Sequence, residues 1–365
     1  MLRRCAPPPR HYRPFGDAGP AAEPSSCVFM TGISNNVTAY LPGLLCITRR
    51  LQAVGSQVKL VVAVPADEAA QARSQLDVAS ANASVIVWSR FPYELKNTRW
   101  AQRRWKGVPV LDKLNILGAP FGRVVWLDTD VLIRRNIDEL CGERWAGVSF
   151  AAALNSGHES RTCHSTLGGG ECTGCQHHGV HADERGSYWV RRGLLEQRAG
   201  NRSGMPRCVY EFNSGERRNS NLSKSTQAVG TCGHDGLSCP RRGRSRSLAG
   251  VMLVSPLNRT AFLHRVVQPT RCHRAPSRDG GDQGVLNSLV HGLGAMGPDV
   301  HVLPSVYNGV QRVASLRPRT WARWDPALVH FVGHRKPWSE EARAQARKPG
   351  TGFPREREWQ QMCGG

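Results

Sequence analysis

Two aspartates separated by one residue, Asp128-Thr129-Asp130, follow directly on the apolar run Arg123-Val124-Val125-Trp126-Leu127. In extended chain, side chains at i and i+2 face the same side, so both carboxylates address one crevice. In an open α/β sheet that crevice lies at the carboxyl ends of the strands. Paired carboxylates there suit a hard divalent cation, Mn²⁺ or Mg²⁺, that also contacts phosphates. A D-x-D in a turn is also an ordinary solvated cap, so the pair alone decides nothing. A second constellation, His330-Phe331-Val332-Gly333-His334-Arg335-Lys336-Pro337-Trp338, ends another apolar run. His330 would complete the carboxylate site. Gly333 would let backbone approach a phosphate, and Lys336 would set a point charge on it. The plainer reading of His330, beside Phe331, is a satisfied core histidine. Taken together, the two constellations favour the metal.

The elements that must position these residues alternate. Cys27–Met30 reads as a strand ending in Thr31-Gly32, and Leu41–Val54 carries apolar residues at helical spacing up to Gly55. Lys59–Val64 is a continuous apolar strand of the kind buried on both faces, stopped by Pro65. Ala66–Ala79 reads as helix, Ser84–Trp88 as strand, Val110–Leu117 as helix and Arg123–Leu127 as strand. Strand and helix in alternation predict an α/β fold with a mostly parallel sheet. Residues 151–250 break the pattern with Gly, Cys, His and Arg. Order returns with the strand Val251–Val254, helices near Thr260–Val267 and Asp282–His291, and strands at Val300–Pro304 and Ala327–Phe331. Residues 1–26, with six prolines, read as a disordered basic lead, and 339–365 as a charged, exposed tail.

Composition bounds the partners. The 365 residues are 40 % hydrophobic and 21 % charged, which excludes wholesale disorder. Lys plus Arg number 49 against 28 Asp plus Glu, a net charge of +21, and only seven of the 49 are Lys. Arginine's planar fork suits phosphate and carboxylate, but the charge is spread along the chain as a solvated surface would be. No run reaches the 18 or so apolar residues of a membrane span, and no signal-peptide core is visible in Met1–Pro14. Twelve cysteines and five N-x-S/T sequons, at Asn36, Asn82, Asn201, Asn221 and Asn258, point instead to an oxidising lumen. A secretory or Golgi lumen, given an N-terminal anchor outside this sequence, and the cytoplasm both stay open.

The ordered motifs resemble glycosyltransferase family 8, the glycogenin-like enzymes, over about residues 27–155 and 208–338. Asp128-Thr129-Asp130 matches the family's D-x-D, followed by the matching context Ile133–Leu140. Lys113 in Leu111-Asp112-Lys113-Leu114 matches the lysine ahead of that strand, and Asp282-Gln283-Gly284-Val285-Leu286-Asn287 matches D-Q-x-x-x-N. Leu303-Pro304 with Tyr307-Asn308, and the H-F-x-G-x-x-K-P-W run, complete the order. Thr31 and Asn35-Asn36 resemble the nucleotide-binding loop, with a longer spacing to Tyr40. The resemblance implies a GT-A type nucleotide-diphospho-sugar transferase fold and retaining, metal-dependent transfer from a UDP-sugar. It implies Asp128, Asp130 and His330 as metal ligands, with Asp128 also on the ribose. Thr31, Asn35, Tyr40, Gly333 and Lys336 would hold the nucleotide and diphosphate. Lys113, Asn213, Asp282 and Gln283 would orient donor sugar and acceptor, with either covalent attack by Asp282 or same-face entry of the acceptor.

One departure stands out. The family runs F-N-S/A-G straight into an apolar strand, whereas here Phe212-Asn213-Ser214-Gly215 is followed by Glu216-Arg217-Arg218 and the strand returns only at Val251. Residues 216–250 therefore read as an insertion, with a second at about 151–207, in a single catalytic domain over 27–338. Cys163, Cys172, Cys175 and Cys208, among several histidines, allow zinc, disulfides or free thiols. The acidic and basic residues at 89–107, with Trp88, Trp100 and Trp105, are candidates to hold an acceptor sugar, or equally a charged helix with an apolar seam. No tyrosine lies in a segment matching glycogenin's self-glucosylated one. Galactinol synthase-like transfer, glucuronyl transfer to a polysaccharide, and a non-catalytic Arg-rich binder of acidic glycan or nucleic acid are the alternatives. No nucleic-acid partner is expected, and the oligomeric state is open.

Overall fold

The computed structural model describes residues 11–16, 26–78, 83–93, 110–154, 188–190, 207–212, 227–231, 244–245, 248–272, 282–297, 299–311, 325–332, 336–347 and 354–364. The strands in chain order are β1 (Cys27–Gly32), β2 (Leu60–Val64), β3 (Ala83–Val87), β4 (Arg123–Leu127), β5 (Val131–Ile133), β6 (Phe150–Leu154) and β7 (Tyr188–Val190). They continue with β8 (Arg207–Phe212), β9 (Gln227–Thr231), β10 (Arg244–Ser245), β11 (Leu248–Val254), β12 (Val300–Leu303), β13 (Gly309–Val310) and β14 (Leu328–His330). Eight form a central sheet in the order β3-β2-β1-β4-β11-β6-β12-β7. Its pairings are parallel except along β11 and at β7, so the sheet is mostly parallel, as the alternation predicts. Two three-stranded sheets, β10-β8-β9 and β13-β14-β5, complete the inventory.

The central sheet is buried on both faces, which is why its strands read as unbroken apolar runs. Side chains alternate between two cores. Val28, Met30, Val124, Trp126, Met252 and Val254 face one; Phe29, Val125, Leu127, Val251 and Leu253 face the other. The second face is covered by α1 (Val37–Ala53) through Leu44, Ile47 and Leu51, and by α2 (Ala69–Val78) through Ala72 and Leu76. The first is covered by the 3-10 helix Val110–Gly118, a helix over residues 259–271 and one over 282–292. Each fully buried large apolar side chain contributes about 1.5–3 kcal/mol. Helical layers on both faces of a sheet make a three-layer α/β domain.

The chain winds outward through β1, β2 and β3, then crosses back to lay β4 on the other side of β1. The sheet's order of travel reverses between β1 and β4, the switch point at whose carboxyl ends open α/β sheets bind their ligands. Asp128 follows β4, and Ile33–Asn36 follow β1.

Two segments differ from the sequence expectation. Within the lead, residues 11–16 are seated: Phe15 is buried and bridges to Trp88, and Tyr12 donates to Asn115 Oδ1 at 2.5 Å. Within the tail, Glu340–Arg347 and Pro354–Cys363 are helices that bury Ala342 and Trp359, with Trp359 packed on Phe331 at 5.3 Å and Trp338 at 5.4 Å. The dense charge of 339–365 hides the few apolar positions that dock it. Among the described residues, no helix is long and apolar enough to cross a membrane.

Candidate functional site

Asp128 leaves β4 with its backbone N–H on Gly250 O at 2.8 Å, and its carbonyl accepts from Val131 N at 3.3 Å. The chain therefore turns at Thr129-Asp130 instead of continuing extended. The carboxylates converge because of this turn and not through strand alternation. After it, β5 pairs antiparallel with β14, with His330 opposite Val131, and Phe331 N donates to Asp130 O at 2.9 Å. This small sheet carries His330 to the aspartates.

Each carboxylate gives one oxygen to a lysine and presents the other to the histidine. Asp128 Oδ1 accepts from Lys113 Nζ at 2.7 Å and from the Trp126 indole at 2.7 Å, while its Oδ2 lies 3.7 Å from His330 Nε2. Asp130 Oδ2 accepts from Lys336 Nζ at 2.5 Å, while its Oδ1 lies 3.3 Å from His330 Nε2. One ligand atom from each of Asp128, Asp130 and His330 lies within 4.8 Å of the others. Two carboxylate oxygens and an imidazole nitrogen fit Mn²⁺ or Mg²⁺ completed by phosphate and water oxygens.

On its far side, His330 Nδ1 meets Asn308 Oδ1 at 2.9 Å. An amide oxygen only accepts, so Nδ1 donates to it, and Nε2 is the ring atom turned toward the aspartates. Gly250, at φ +85°, lies against this pair; a Cβ there would collide with His330 Nδ1 and Asn308 Oδ1. Gly43 in α1 similarly passes against the Thr129 carbonyl, so a side chain at 43 would press on the turn.

Burial opposes charge on all four ionisable neighbours, and their pairing overrides it. Burial raises Asp130, but His330 and Lys336 outweigh it and hold the carboxyl below the usual carboxylate range. Burial also raises Asp128, and Lys113 with His330 brings it down. Burial lowers Lys113 and Lys336, yet the aspartates raise both above ordinary lysine. Both carboxylates and both ammoniums are therefore charged at neutral pH, which is the state that cation and phosphate binding require.

Lys113 Nζ also lies 3.6 Å from Asp282 Oδ2, at the start of the helix Asp282–Asn287, and 5.3 Å from the Trp126 ring centroid. Gln283 is half-buried on that helix. Asn35 and Tyr40 flank the Asn36 cap of α1; Tyr40 packs edge-on against Trp338 at 6.3 Å, and the Trp338 indole donates to Ala39 O at 2.9 Å. The first turn of α1 and the K-P-W run thus pack together beside the aspartates. Thr31 is enclosed in β1 with its hydroxyl unpartnered among the described residues, so the open part of that loop begins after it.

Asn213 and Gly333 lie outside the described residues. So do Cys163, Cys172, Cys175, Trp100, Trp105 and the side chain of Cys208. Trp88 is a core residue stacked on Trp126 at 6.1 Å, which removes it from any acceptor surface. The glycine directly ahead of Val251 in the sheet is Gly250, which takes the place that the sequence motif offers to Gly215.

Sequence reasoning gave no site role to Trp126, Asn308, Gly250 or Asp112, and it offered Arg90 only among the charged residues at 89–107 that could hold an acceptor. Asp112, next to Lys113, accepts from Phe91 N at 2.7 Å and Arg90 Nη1 at 3.0 Å, and the same guanidinium bonds Ser34 O beyond β1. Arg90 thereby joins the lysine-bearing 3-10 helix to the loop after β1. Only the Tyr307-Asn308 motif carried a signal that could have found one of them.

No family model matches the chain, and no curated protein matches it. Among solved structures it is similar to the apo WbbM bifunctional glycosyltransferase, at 14 % identity and a TM-score of 0.49, covering 87 % of this chain and 48 % of that one. It is also similar to the galactosyltransferase LgtC in complex with donor and acceptor sugar analogues, at 16 % identity and a TM-score of 0.45, covering 93 % and 95 %. Apo mouse xyloside xylosyltransferase 1 follows at 12 % identity and a TM-score of 0.41, covering 84 % and 98 %. Likenesses this distant carry no statement about activity, which must rest on the site.

Proposed function

We propose that this chain is a GT-A type, glycogenin-like transferase of family 8. It would move a hexosyl unit, with retention, from a UDP-sugar to a sugar, polyol or protein hydroxyl. The observation that carries the reading is the convergence of Asp128, Asp130 and His330 at the β1/β4 crossover, flanked by Lys113 and Lys336. A binding protein for acidic glycans or nucleic acid has no use for carboxylates at the centre of its site.

Asp128 Oδ2, Asp130 Oδ1 and His330 Nε2 would hold Mn²⁺ or Mg²⁺, which when bound supplies positive charge to the diphosphate leaving group. The rest is the work of this chain's side chains. Breaking the sugar–phosphate bond leaves negative charge on the diphosphate, and Lys336, beside Tyr40, would bind it. Lys113 lies between Asp128 and Asp282, so it fixes Asp282 relative to the cation ligands and orients the donor sugar. Asp282 and Gln283, on one helix end, would position donor and acceptor hydroxyls. Asn308 holds the His330 ring in one orientation. Asn35 and Tyr40 would receive the nucleotide at the end of β1.

The test is a screen of UDP-sugars with Mn²⁺, read as free UDP. One donor should be turned over, chelation should stop it, and Asp130→Ala should lower it by at least about 10²–10³-fold with an unchanged circular dichroism spectrum. Unchanged turnover in that variant would remove the metal assignment. Salt-sensitive nucleic-acid binding with no donor turnover would favour the Arg-rich binder instead.

A further inference from the structure

The proposed transfer site uses none of the cysteines and, of the sequons, lies close only to Asn36. Cys27, at the start of β1, is bonded to Cys141 across 114 residues, with Cα atoms 5.7 Å apart. Cys46 in α1 is bonded to Cys363 across 317 residues, with Cα atoms 5.0 Å apart. Both separations are within disulfide range, and Cys272 is disulfide-bonded as well. Half-cystines joining such distant segments form and persist in oxidising compartments.

Two sequon asparagines are described, and both cap helices through Oδ1. Asn36 Oδ1 accepts from Ala39 N at 3.1 Å, and Asn258 Oδ1 accepts from Ala261 N at 2.9 Å. Capping engages the oxygen and leaves the amide nitrogen Nδ2, the atom that N-glycosylation modifies, outside the described hydrogen bonds. The two differ in place. Asn36 follows β1 at the same end of the sheet as Asp128, with its own N–H and that of Val37 held by Glu68 at 2.8 and 2.6 Å. A glycan there would stand in the mouth of the site. Asn258 follows β11, which is antiparallel to β4 with Val254 opposite Val124, so it emerges at the opposite end of the sheet from Asp128. Asn258, Arg259 and Thr260 are all exposed.

We infer that the chain matures in an oxidising secretory lumen and carries an N-linked glycan on Asn258. The donor is a lipid-diphosphate-linked oligosaccharide. The bond from Asn258 Nδ2 to the sugar C1 forms as the C1–oxygen bond breaks. The lipid diphosphate leaves with the electron pair, and one amide proton passes to solvent base. Thr260 supplies the sequon hydroxyl. The Oδ1 cap on Ala261 survives the modification because Nδ2 alone changes.

The full chain, expressed behind a cleavable secretion signal in a eukaryotic host, tests this in medium and in the membrane fraction, so that retention hides nothing. Deglycosylation by peptide N-glycosidase in ¹⁸O-water should convert Asn258 to ¹⁸O-labelled Asp in most of the recovered peptide. Thr260→Ser should keep the label. Thr260→Ala should lose it with the Asn258 cap and the melting temperature unchanged. Recovery of the Asn258 peptide wholly unlabelled in the parent chain would overturn the glycan. Peptide mapping without reduction should return Cys27 linked to Cys141 and Cys46 to Cys363; all four as free thiols would overturn the oxidising compartment. Neither arm reads sugar transfer, so this inference and the proposed activity fail separately.

Discussion

The central sheet and the small sheet β13-β14-β5 are both buried, but they differ in what their strand ends carry. The central sheet holds apolar side chains on both faces, and its position in the fold follows from what must be kept from water. The small sheet is three short strands, and β14 ends in a histidine bound to an amide and facing two carboxylates. Without its pairing to β5, His330 would have no fixed relation to Asp130. The difference teaches that the site is assembled where two buried sheets meet, across one turn, Asp128–Val131. Substitutions at core positions and at site positions should therefore separate into losses of folding and losses of turnover.

The largest effect on folding is expected at Phe29, fully buried in β1. Phe29→Ala should cost about 3–5 kcal/mol of unfolding free energy in denaturant titration, with turnover per folded molecule nearly unchanged; a comparable loss of turnover would erase the separation. The converse is Asn308→Leu. It should weaken Mn²⁺ affinity by about 10–100-fold, read by titration of the free ion, while the buried, unpaired His330 Nδ1–H costs about 1–3 kcal/mol. Metal affinity equal to that of the parent would mean that the amide does not orient the ring.

The two regions also divide by pH. Asp130, held below the ordinary carboxylate value of about 3.9, contributes stability that is complete above that value and lost as pH falls through its lowered one. Asp112 has the opposite sign. Burial raises it, more than its bonds to Phe91 N and Arg90 lower it, so its contribution is present at low pH and is lost as pH rises through the raised value. Asp130→Asn should flatten the acid limb of a stability–pH curve below about pH 4; an unchanged limb would place the acid sensitivity elsewhere. The smallest effect belongs to Arg135, whose pairing with Asp325 at 3.6 Å joins two exposed side chains. Arg135→Ala should change stability by less than about 1 kcal/mol, and a larger loss would show that the small sheet depends on its surface charges.

Much of the central sheet was legible because burial on both faces leaves unbroken apolar runs. The cores of β1, β2, β4 and β11 were found this way. α1 begins at Val37, four residues before the expected Leu41, because Asn36 caps it, and the apolar spacing starts only later. β5 and β13 are too short to leave a period, and β6 is mostly alanine. At the site, residues named by type and spacing were brought together: Lys113, Asp128, Asp130, Asp282, His330 and Lys336. The partners that orient them come from distant chain. Trp126 looked like one more strand residue, and Asn308 reaches His330 across 22 positions. The bonded cysteines are 114 and 317 residues apart, so no local spacing marks them.

Gly250 has a consequence for how the sheet is threaded. β11 lies between β4 and β6, with Leu248 far along the chain from Leu127 and Leu154. A slip by one position would exchange the two faces of the strand and send Val251 and Leu253, Met252 and Val254 each into the other core. It would also bring Ala249 or Val251, each with a Cβ, to the place against His330 where only a bare α-carbon fits. The same glycine that makes room for the histidine thus acts as a frame-keeper: the strand seats fully in one alignment, and in that alignment the His330 ring is held in place.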